Sequence, residues 1–130
     1  MKRKFNIDSD ISKAETLPPS FYNDLKIFEE LKTKIFLRSW QWVGDSDLIK
    51  EKNSVYPQLL LEDYLTEPIV LTRDESDTIH CLTNVCTHRG NILVFNPGKS
   101  KKLVCMYHGR RLNNKGDFEF MPELEKNKKV

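Results

Sequence analysis

The 130-residue sequence lacks long apolar runs, and its longest aliphatic or aromatic stretch is the four residues 92–95. A membrane-spanning helix needs about 20 such residues, and the apolar core of a secretory signal needs about 7–15. Neither is predicted. A dominant charge is also missing, because 21 basic and 19 acidic side chains leave a net charge of +2. These absences favour a single cytoplasmic domain that binds neither membrane nor nucleic acid.

The cysteine count is also not even. Three cysteines in a chain with no predicted leader disfavour a disulfide framework and favour thiolate chemistry. All cysteines and all histidines lie between positions 80 and 108, namely His80, Cys81, Cys86, His88, Cys105 and His108. His80 and Cys81 lie in the predicted strand before the first of the other four. Cys81 is expected as a small core residue, and His80, on the opposite face, is expected at the surface or beside the ligands rather than as a ligand.

Apolar side chains predict one helix near the start of the chain. The segment Pro18-Pro19-Ser20 marks its beginning with Ser20 as N-cap, and apolar residues then recur every three or four positions from Phe21 to Ile35. We expect this stripe to pack on neighbouring elements. Residues 1–17 are polar and aperiodic, which predicts a loose arm, and 126–130 form a tail.

The period changes after the helix. Short β-branched and aromatic runs separated by turn residues predict small antiparallel strands at 40–44, 57–61, 68–73, 78–83, 92–95, 101–104 and 117–120. Turns are expected at 74–77 and 113–116. Trp40 and Trp42 alternate on the first strand and are expected in the core or in an interface. The predicted fold is mainly β, a small antiparallel sandwich or barrel with an N-terminal helix.

Two Cys/His pairs carry the chemistry. Cys86-Thr87-His88 and Cys105-Met106-Tyr107-His108 are separated by sixteen residues, and each pair is followed by a glycine. Two converging loops that each supply one thiolate and one imidazole form a four-ligand site. Zinc sites of finger type usually pair Cys with Cys, whereas a mixed arrangement suits a binuclear iron–sulfur cluster. Both metal interpretations remain open at this point.

The two motifs, C-T-H-R-G and C-M-Y-H-G, resemble the Rieske signature. The segments 17–22, 36–41, 67–74 and 121–124 are similar to the start of a Rieske non-haem iron oxygenase large subunit, of the type that hydroxylates aromatic rings. The resemblance covers about residues 18–125, the expected Rieske domain. Two positions depart from the oxygenase pattern, since Met106 replaces a proline and Arg110 replaces a tryptophan.

The resemblance implies one [2Fe–2S] cluster with Cys86 and Cys105 on the buried iron and His88 and His108 on the outer iron. It also implies a redox donor (a reductase or ferredoxin), a mononuclear iron oxygenase domain or subunit, and a homotrimer. Two of three histidines are used by the cluster, so a two-histidine iron site cannot be built from His80 alone. We therefore expect no catalytic residue here and an electron-delivering role.

Two other functions stay open, a stand-alone Rieske ferredoxin and a zinc-stabilised Cys₂His₂ binding module. Charge adds one observation. Residues 86–116 hold seven basic and no acidic side chains, whereas the other 99 residues hold 14 basic and 19 acidic ones. This basic region either offsets the negative charge of a cluster or steers an acidic redox donor.

Overall fold

The computed structural model describes residues 5–122, in two compact units, Met1–Trp42 and Val43–Val130. The predicted tail at 126–130, the motif match at 123–124 and the basic start of the arm at 1–4 lie outside the described residues. The predicted domain limits remain predictions. Within residues 5–122, no helix combines the length and apolar character that crossing a bilayer requires. The cytoplasmic location also stays a prediction.

The first unit contains α1 (Pro19–Tyr22), α2 (Leu25–Lys34) and a 3₁₀ turn (Phe36–Arg38). The single predicted helix is therefore divided, and Ser20 is not its N-cap. Asp24 is the cap, because its side chain accepts a hydrogen bond of 2.8 Å from the backbone N–H of Lys26. An Asp at this position satisfies a backbone donor that has no partner within the helix.

The apolar stripe of this unit is packed only in part: Phe21 and Leu31 are half-buried, and the Phe21 ring contacts that of Phe5, whereas Phe28 and Ile35 are exposed. None of the described residues in α1 or α2 is buried, and Leu25 is 79% exposed. Trp40 and Trp42 lie in irregular backbone and are exposed, so the predicted strand at 40–44 is wrong and neither indole takes the predicted core position. Their alternative place, in an interface, stays a prediction.

The second unit is built from two antiparallel sheets. Four strands form the first in the order β3-β2-β1-β4, and three form the second in the order β5-β6-β7. The strands are β1 (Ser54–Leu60), β2 (Glu67–Arg73), β3 (Ile79–Thr83), β4 (Gly98–Lys99), β5 (Lys102–Val104), β6 (Arg111–Asn113) and β7 (Phe118–Phe120). The mainly β fold and five of the predicted strands are confirmed.

Three short segments differ from prediction. Residues 92–95 form no strand and contribute one isolated bridge, between Val85 and Ile92. Neither β4 nor β6 was predicted, because Gly98–Lys99 and Arg111–Asn113 contain few strand-forming residues. Both become strands only through pairing, with β1 and with β5 and β7 respectively. A 3₁₀ turn at Ser46–Ile49 was also not predicted.

The core lies between the sheets and reaches the ends of the strands that precede the Cys/His motifs. Its buried members are Val55, Val70, Cys86, Leu93, Leu103, Cys105 and Leu112. In β2, residues Ile69–Thr72 are buried without alternation, so both faces of this central strand are covered. The two cysteines of the motifs therefore belong to the hydrophobic core.

The faces of β3 are reversed relative to the sequence prediction. Leu82 packs against the core, and side chains alternate along a strand, so His80 shares the inner face while Cys81 points outward. His80 is half-buried, and its Nε2 lies 3.0 Å from Oδ2 of the buried Asp74. The core position predicted for Cys81 is wrong.

Both predicted turns of the second unit are confirmed. Between β2 and β3, the N–H of Asp77 donates to the carbonyl of Asp74 at 3.1 Å. Between β6 and β7, Gly116 donates to Asn113 at 3.0 Å and has a φ of +92°. These turns and residues 98–101 lie at one end of the strands, and the Cys/His loops lie at the other.

Candidate metal centre

The first ligand loop, residues 86–91, is closed by two backbone hydrogen bonds. The N–H of Cys86 donates to the carbonyl of Asn91 at 2.7 Å, and the N–H of Gly90 donates back to the carbonyl of Cys86 at 2.9 Å. Gly90 has a φ of +71°, a conformation that side chains other than glycine seldom adopt. The loop is therefore a tight turn that begins at a cysteine and carries His88 at its tip.

The second ligand loop, residues 105–110, has the same hydrogen bonds. The N–H of Cys105 donates to the carbonyl of Arg110 at 2.8 Å, and Gly109 donates to the carbonyl of Cys105 at 2.9 Å, with a φ of +72°. A Cβ at Gly109 would lie 3.2 Å from Cγ of Pro122. The two loops thus present their cysteines at equivalent positions.

Asn84 braces the first ligand loop, and the sequence analysis did not single it out. Its Oδ1 accepts a hydrogen bond of 2.9 Å from the N–H of Val94, and its Nδ2 donates to the carbonyl of Val94 at 2.7 Å. Its backbone bonds to Pro68 and Leu93. No sequence signal marked this residue, because its burial and its partner Val94, ten positions away, follow from the fold.

The four predicted ligand residues come together at these loops, with the cysteines at the closed ends. Cys86 and Cys105 are 1% and 2% exposed, whereas His88 and His108 are half-buried. The two imidazole rings lie 4.8 Å apart, centroid to centroid, at an angle of 71°. The sulfur donors therefore lie inside the protein and the nitrogen donors lie closer to its surface.

Hydrogen bonding favours a thiolate at Cys105. Burial raises the pKa of this thiol, but the N–H groups of Tyr107 and His108 and the side chains of Cys86 and Asn91 lower it by more. The pKa of Cys105 is consequently below its usual value. Backbone N–H groups directed at a sulfur stabilise negative charge there, as a metal-bound thiolate requires.

The residues fit a binuclear cluster. Nδ1 of His108 is buried and has no hydrogen-bond partner in the described structure, so its lone pair is available to a metal. Tyr107 stacks against this ring with 3.8 Å between centroids. Within residues 5–122, no three His, Cys, Asp or Glu side chains are grouped for one metal ion. The donors instead form a sulfur pair and an imidazole pair, as two irons would require.

The remaining histidine and cysteine lie outside the two ligand loops. His80 bonds to Asp74 near the start of β3, whereas the first ligand loop follows the end of that strand. Cys81 is exposed on the outer face. His80 therefore lies away from the first ligand loop, and its exclusion from the ligand set stays a prediction.

Comparison with known proteins identifies the family. A family model described as the Rieske [2Fe–2S] domain matches residues 39–130. The chain belongs to the Rieske [2Fe–2S] domain family. A [2Fe–2S] cluster is therefore its cofactor, and the mixed Cys/His loops are those of an iron–sulfur protein rather than the zinc module left open above.

Two curated relatives illustrate the similarity in sequence. The chain is 34% identical over 106 residues to the chloroplastic choline monooxygenase of Arabidopsis thaliana, covering 82% of this chain and 24% of that protein. It is 33% identical over 104 residues to the carnitine monooxygenase oxygenase subunit of Escherichia coli K12, covering 79% and 27%. The chain thus spans about a quarter of the length of these relatives.

Solved structures of Rieske oxygenases have the same fold. The quaternary ammonium Rieske monooxygenase CntA bound to L-carnitine has a TM-score of 0.76 at 26% identity, over 90% of this chain and 32% of that chain. Naphthalene 1,2-dioxygenase with indole has a TM-score of 0.70 at 25% identity, over 82% and 23%. The predicted resemblance to the N-terminal part of a Rieske oxygenase is confirmed.

Proposed function

We propose that this chain transfers single electrons as the Rieske domain of an oxygenase, with Cys86 and Cys105 on the inner iron and His88 and His108 on the outer iron. The observation that carries this assignment is the pairing of two buried sulfurs with two half-buried imidazoles in equivalent loops. No other histidine or cysteine of the described residues lies at these loops.

When bound, the cluster supplies a carrier of one electron with a potential of about −150 to +300 mV. The chain's own residues set the conditions for it. The core around Cys86 and Cys105 excludes water, and the N–H groups directed at Cys105 stabilise its charge. The imidazoles of His88 and His108 replace two anionic ligands by neutral ones and provide a short path to the surface.

We further propose that the electron is delivered to a mononuclear iron oxygenase site outside this chain. Support comes from the relatives, which are oxygenases about three to four times as long as this chain. Their length follows from the matches, since 106 residues cover 24% of one relative and 104 residues cover 27% of another. One structure of CntA is described as giving insights into inter-subunit electron transfer. A trimeric assembly stays a prediction.

A stand-alone ferredoxin is the competing function. Immunoblotting of the native protein separates the two, since the 130 residues alone have a mass of 15.3 kDa and an oxygenase subunit would be three to four times heavier. A native band at 15.3 kDa would favour the carrier.

For the oxygenase, we propose a small quaternary ammonium substrate. The relatives reported above are named for choline and carnitine, and a third, from Chromohalobacter salexigens, is named for glycine betaine and is 39% identical over 94 residues. Donor oxidation by the native protein should be stimulated by choline, carnitine or glycine betaine. Stimulation by naphthalene alone would contradict this substrate class.

Substitution of the ligands tests the cluster. The chain should contain two irons and two sulfides and give a rhombic electron paramagnetic resonance signal after reduction. Cys86→Ser should lose the iron, because serine does not supply the soft thiolate ligand. His108→Cys should keep a cluster with a lower potential, because a thiolate adds negative charge.

Cys81→Ser is the matched control, since it removes an exposed thiol at the edge of the first sheet and should leave iron content and spectrum unchanged. A wild-type spectrum in Cys86→Ser would contradict the ligand assignment. One zinc and no sulfide in the wild-type chain would contradict the function itself.

A further inference from the structure

The seven basic side chains of residues 86–116 divide into two groups in the structure. The four lysines each lie within 4.0 Å of a carboxylate of this chain, in the pairs Lys99–Glu51, Lys101–Glu75, Lys102–Glu119 and Lys115–Asp74. These pairs lie at the end of the strands away from the ligand loops, where β1, β3 and β5 begin. Their positive charge is therefore compensated locally.

The three arginines lie at the opposite end and have no carboxylate partner among the described residues. Arg89 is inside the first ligand loop, Arg110 ends the second, and Arg111 begins β6. Among residues 5–122, no carboxylate lies within 4.0 Å of their guanidinium groups. The hairpin turn between β1 and β2 brings Glu62 and Asp63 to this end of the first sheet, yet neither reaches an arginine.

Aromatic rings hold two of these arginines in place. Cζ of Arg110 lies 4.8 Å from the centre of the Phe118 ring, and Cζ of Arg111 lies 4.9 Å from that of Phe120. A guanidinium that stacks on a ring keeps its in-plane N–H donors free for a carboxylate. Nε of Arg110 is buried and lacks a hydrogen-bond partner in the described structure.

Apolar side chains lie between the arginines in the sequence of the loops. Met106 is 78% exposed and Tyr107 is 59% exposed, both inside the second ligand loop and next to the ligand His108. Docking surfaces of proteins commonly combine an apolar centre with a charged rim. We name the set Arg89, Met106, Tyr107, Arg110 and Arg111 the arginine face.

We propose that the arginine face binds the electron-donor protein, and that the donor presents a cluster of carboxylates to it. This inference rests on the proposed function, because it assigns the point at which electrons enter the same centre. Its chemical basis is complementarity: three guanidinium groups with no carboxylate partner among residues 5–122 match bidentate carboxylate acceptors.

The position of the face suits a transient donor. It surrounds the imidazole ligands, which lie nearer the surface than the buried cysteines, so a docked donor would meet the shortest path to the centre. Uncompensated charge attracts an oppositely charged partner over about 10 Å at moderate ionic strength and raises its rate of encounter. The compensated lysines at the other end give no such attraction.

Stopped-flow reduction of the holoprotein tests the proposal. The acidic probe is reduced plant-type [2Fe–2S] ferredoxin, and the neutral probe is photoreduced 5-deazariboflavin. Arg89→Gln combined with Arg111→Gln should slow reduction by the acidic probe about fivefold or more at low ionic strength and flatten its salt dependence. Reduction by the neutral probe should stay unchanged. Arg110→Gln alone should slow the acidic probe in the same direction.

The matched control is Lys101→Gln combined with Lys102→Gln, which removes the same charge at the other end of the strands. It should change the rate with the acidic probe less than twofold. Equal slowing by the lysine and arginine variants would show that net charge alone matters and would overturn the proposal. An unchanged rate in the arginine variants would also overturn it.

Two further outcomes separate this inference from its alternatives. Dissociation of an oligomer by the arginine variants, with an unchanged donor rate, would make the face a contact between subunits and overturn the proposal. Failure of the underlying function would be seen earlier, as a wild-type protein without iron, sulfide or rhombic signal. The failure of donor docking and the failure of cluster binding are therefore distinguishable.

Discussion

Replacement of Asn84 by aspartate should destabilise the first ligand loop in a pH-dependent way. The introduced carboxylate keeps the acceptor for the N–H of Val94 but places an oxygen against the Val94 carbonyl, which Nδ2 now meets at 2.7 Å. Loss of one buried hydrogen bond with an unsatisfied partner costs about 1–3 kcal/mol. Burial of the charge adds to this, so we expect about 2–4 kcal/mol at neutral pH, or about 30- to 700-fold in the unfolding equilibrium.

The sign of the pH dependence follows from the environment of the new carboxyl. Burial and the facing carbonyl raise its pKa in the folded state, because the neutral acid can donate its proton to Val94 and the anion cannot. The penalty is therefore smallest below the unfolded pKa of about 4 and grows as the pH rises through the folded pKa.

Urea unfolding between pH 4 and pH 8, followed by circular dichroism and by the visible absorption of the cluster, measures this effect. Asn84→Ala is the control, because it removes both side-chain bonds without adding a charge and should cost a similar amount at every pH. A penalty for Asn84→Asp that does not change with pH would refute the reasoning, as would wild-type stability at pH 7.

Two other predictions concern the loops and the opposite turn. Gly90→Ala and Gly109→Ala should each lose about 1–2 kcal/mol, because both positions have a φ near +70°. Gly109→Ala should lose more, since its Cβ would press on Pro122 whereas Gly90 has open space; thermal unfolding measures this, and equal losses would contradict it. The hydrogen bond from His80 lowers the pKa of Asp74, as does the N–H of Thr78 to a smaller extent. Because the pKa of Asp74 is lower in the folded state, its carboxylate stabilises the fold at pH values above the unfolded pKa of about 4, and this stabilisation is lost as the pH falls through the folded pKa. Asp74→Asn should therefore flatten the acid side of a plot of melting temperature against pH. An unchanged acid limb would argue against the contact.

The candidate centre could be predicted because its spacing is local. Each ligand pair lies within one turn of chain, and the glycines at 90 and 109 mark where the backbone must take a positive φ. The sequence could not show that the two turns share one hydrogen-bond pattern, because Asn91 and Arg110 contribute through their carbonyls and not through their side chains. Asn84 was missed since its partner, Val94, is ten positions away.

Errors in the fold arise where tertiary contacts override local pattern. In β3 the alternation was correct but its phase was wrong, because Leu82, rather than Cys81, takes the core position. A single helix was predicted because the apolar residues keep a helical spacing across position 23, but the backbone at that position is not helical. The segment that contains Trp40 and Trp42 is rich in residues that favour strands, but its backbone pairs with no strand of the described residues.

The repeated closure of the two ligand loops has a consequence for how such chains can vary in length. A residue inserted between Cys86 and Asn91, or between Cys105 and Arg110, would break the backbone hydrogen bond that closes the loop and would displace a metal ligand. The connection from 94 to 101 has no such closing hydrogen bond at its centre, and its one strand is the two-residue β4. Natural variation and engineered insertions should therefore accumulate between the loops, and a sensor peptide placed near residues 95–97 should leave the colour of the protein intact.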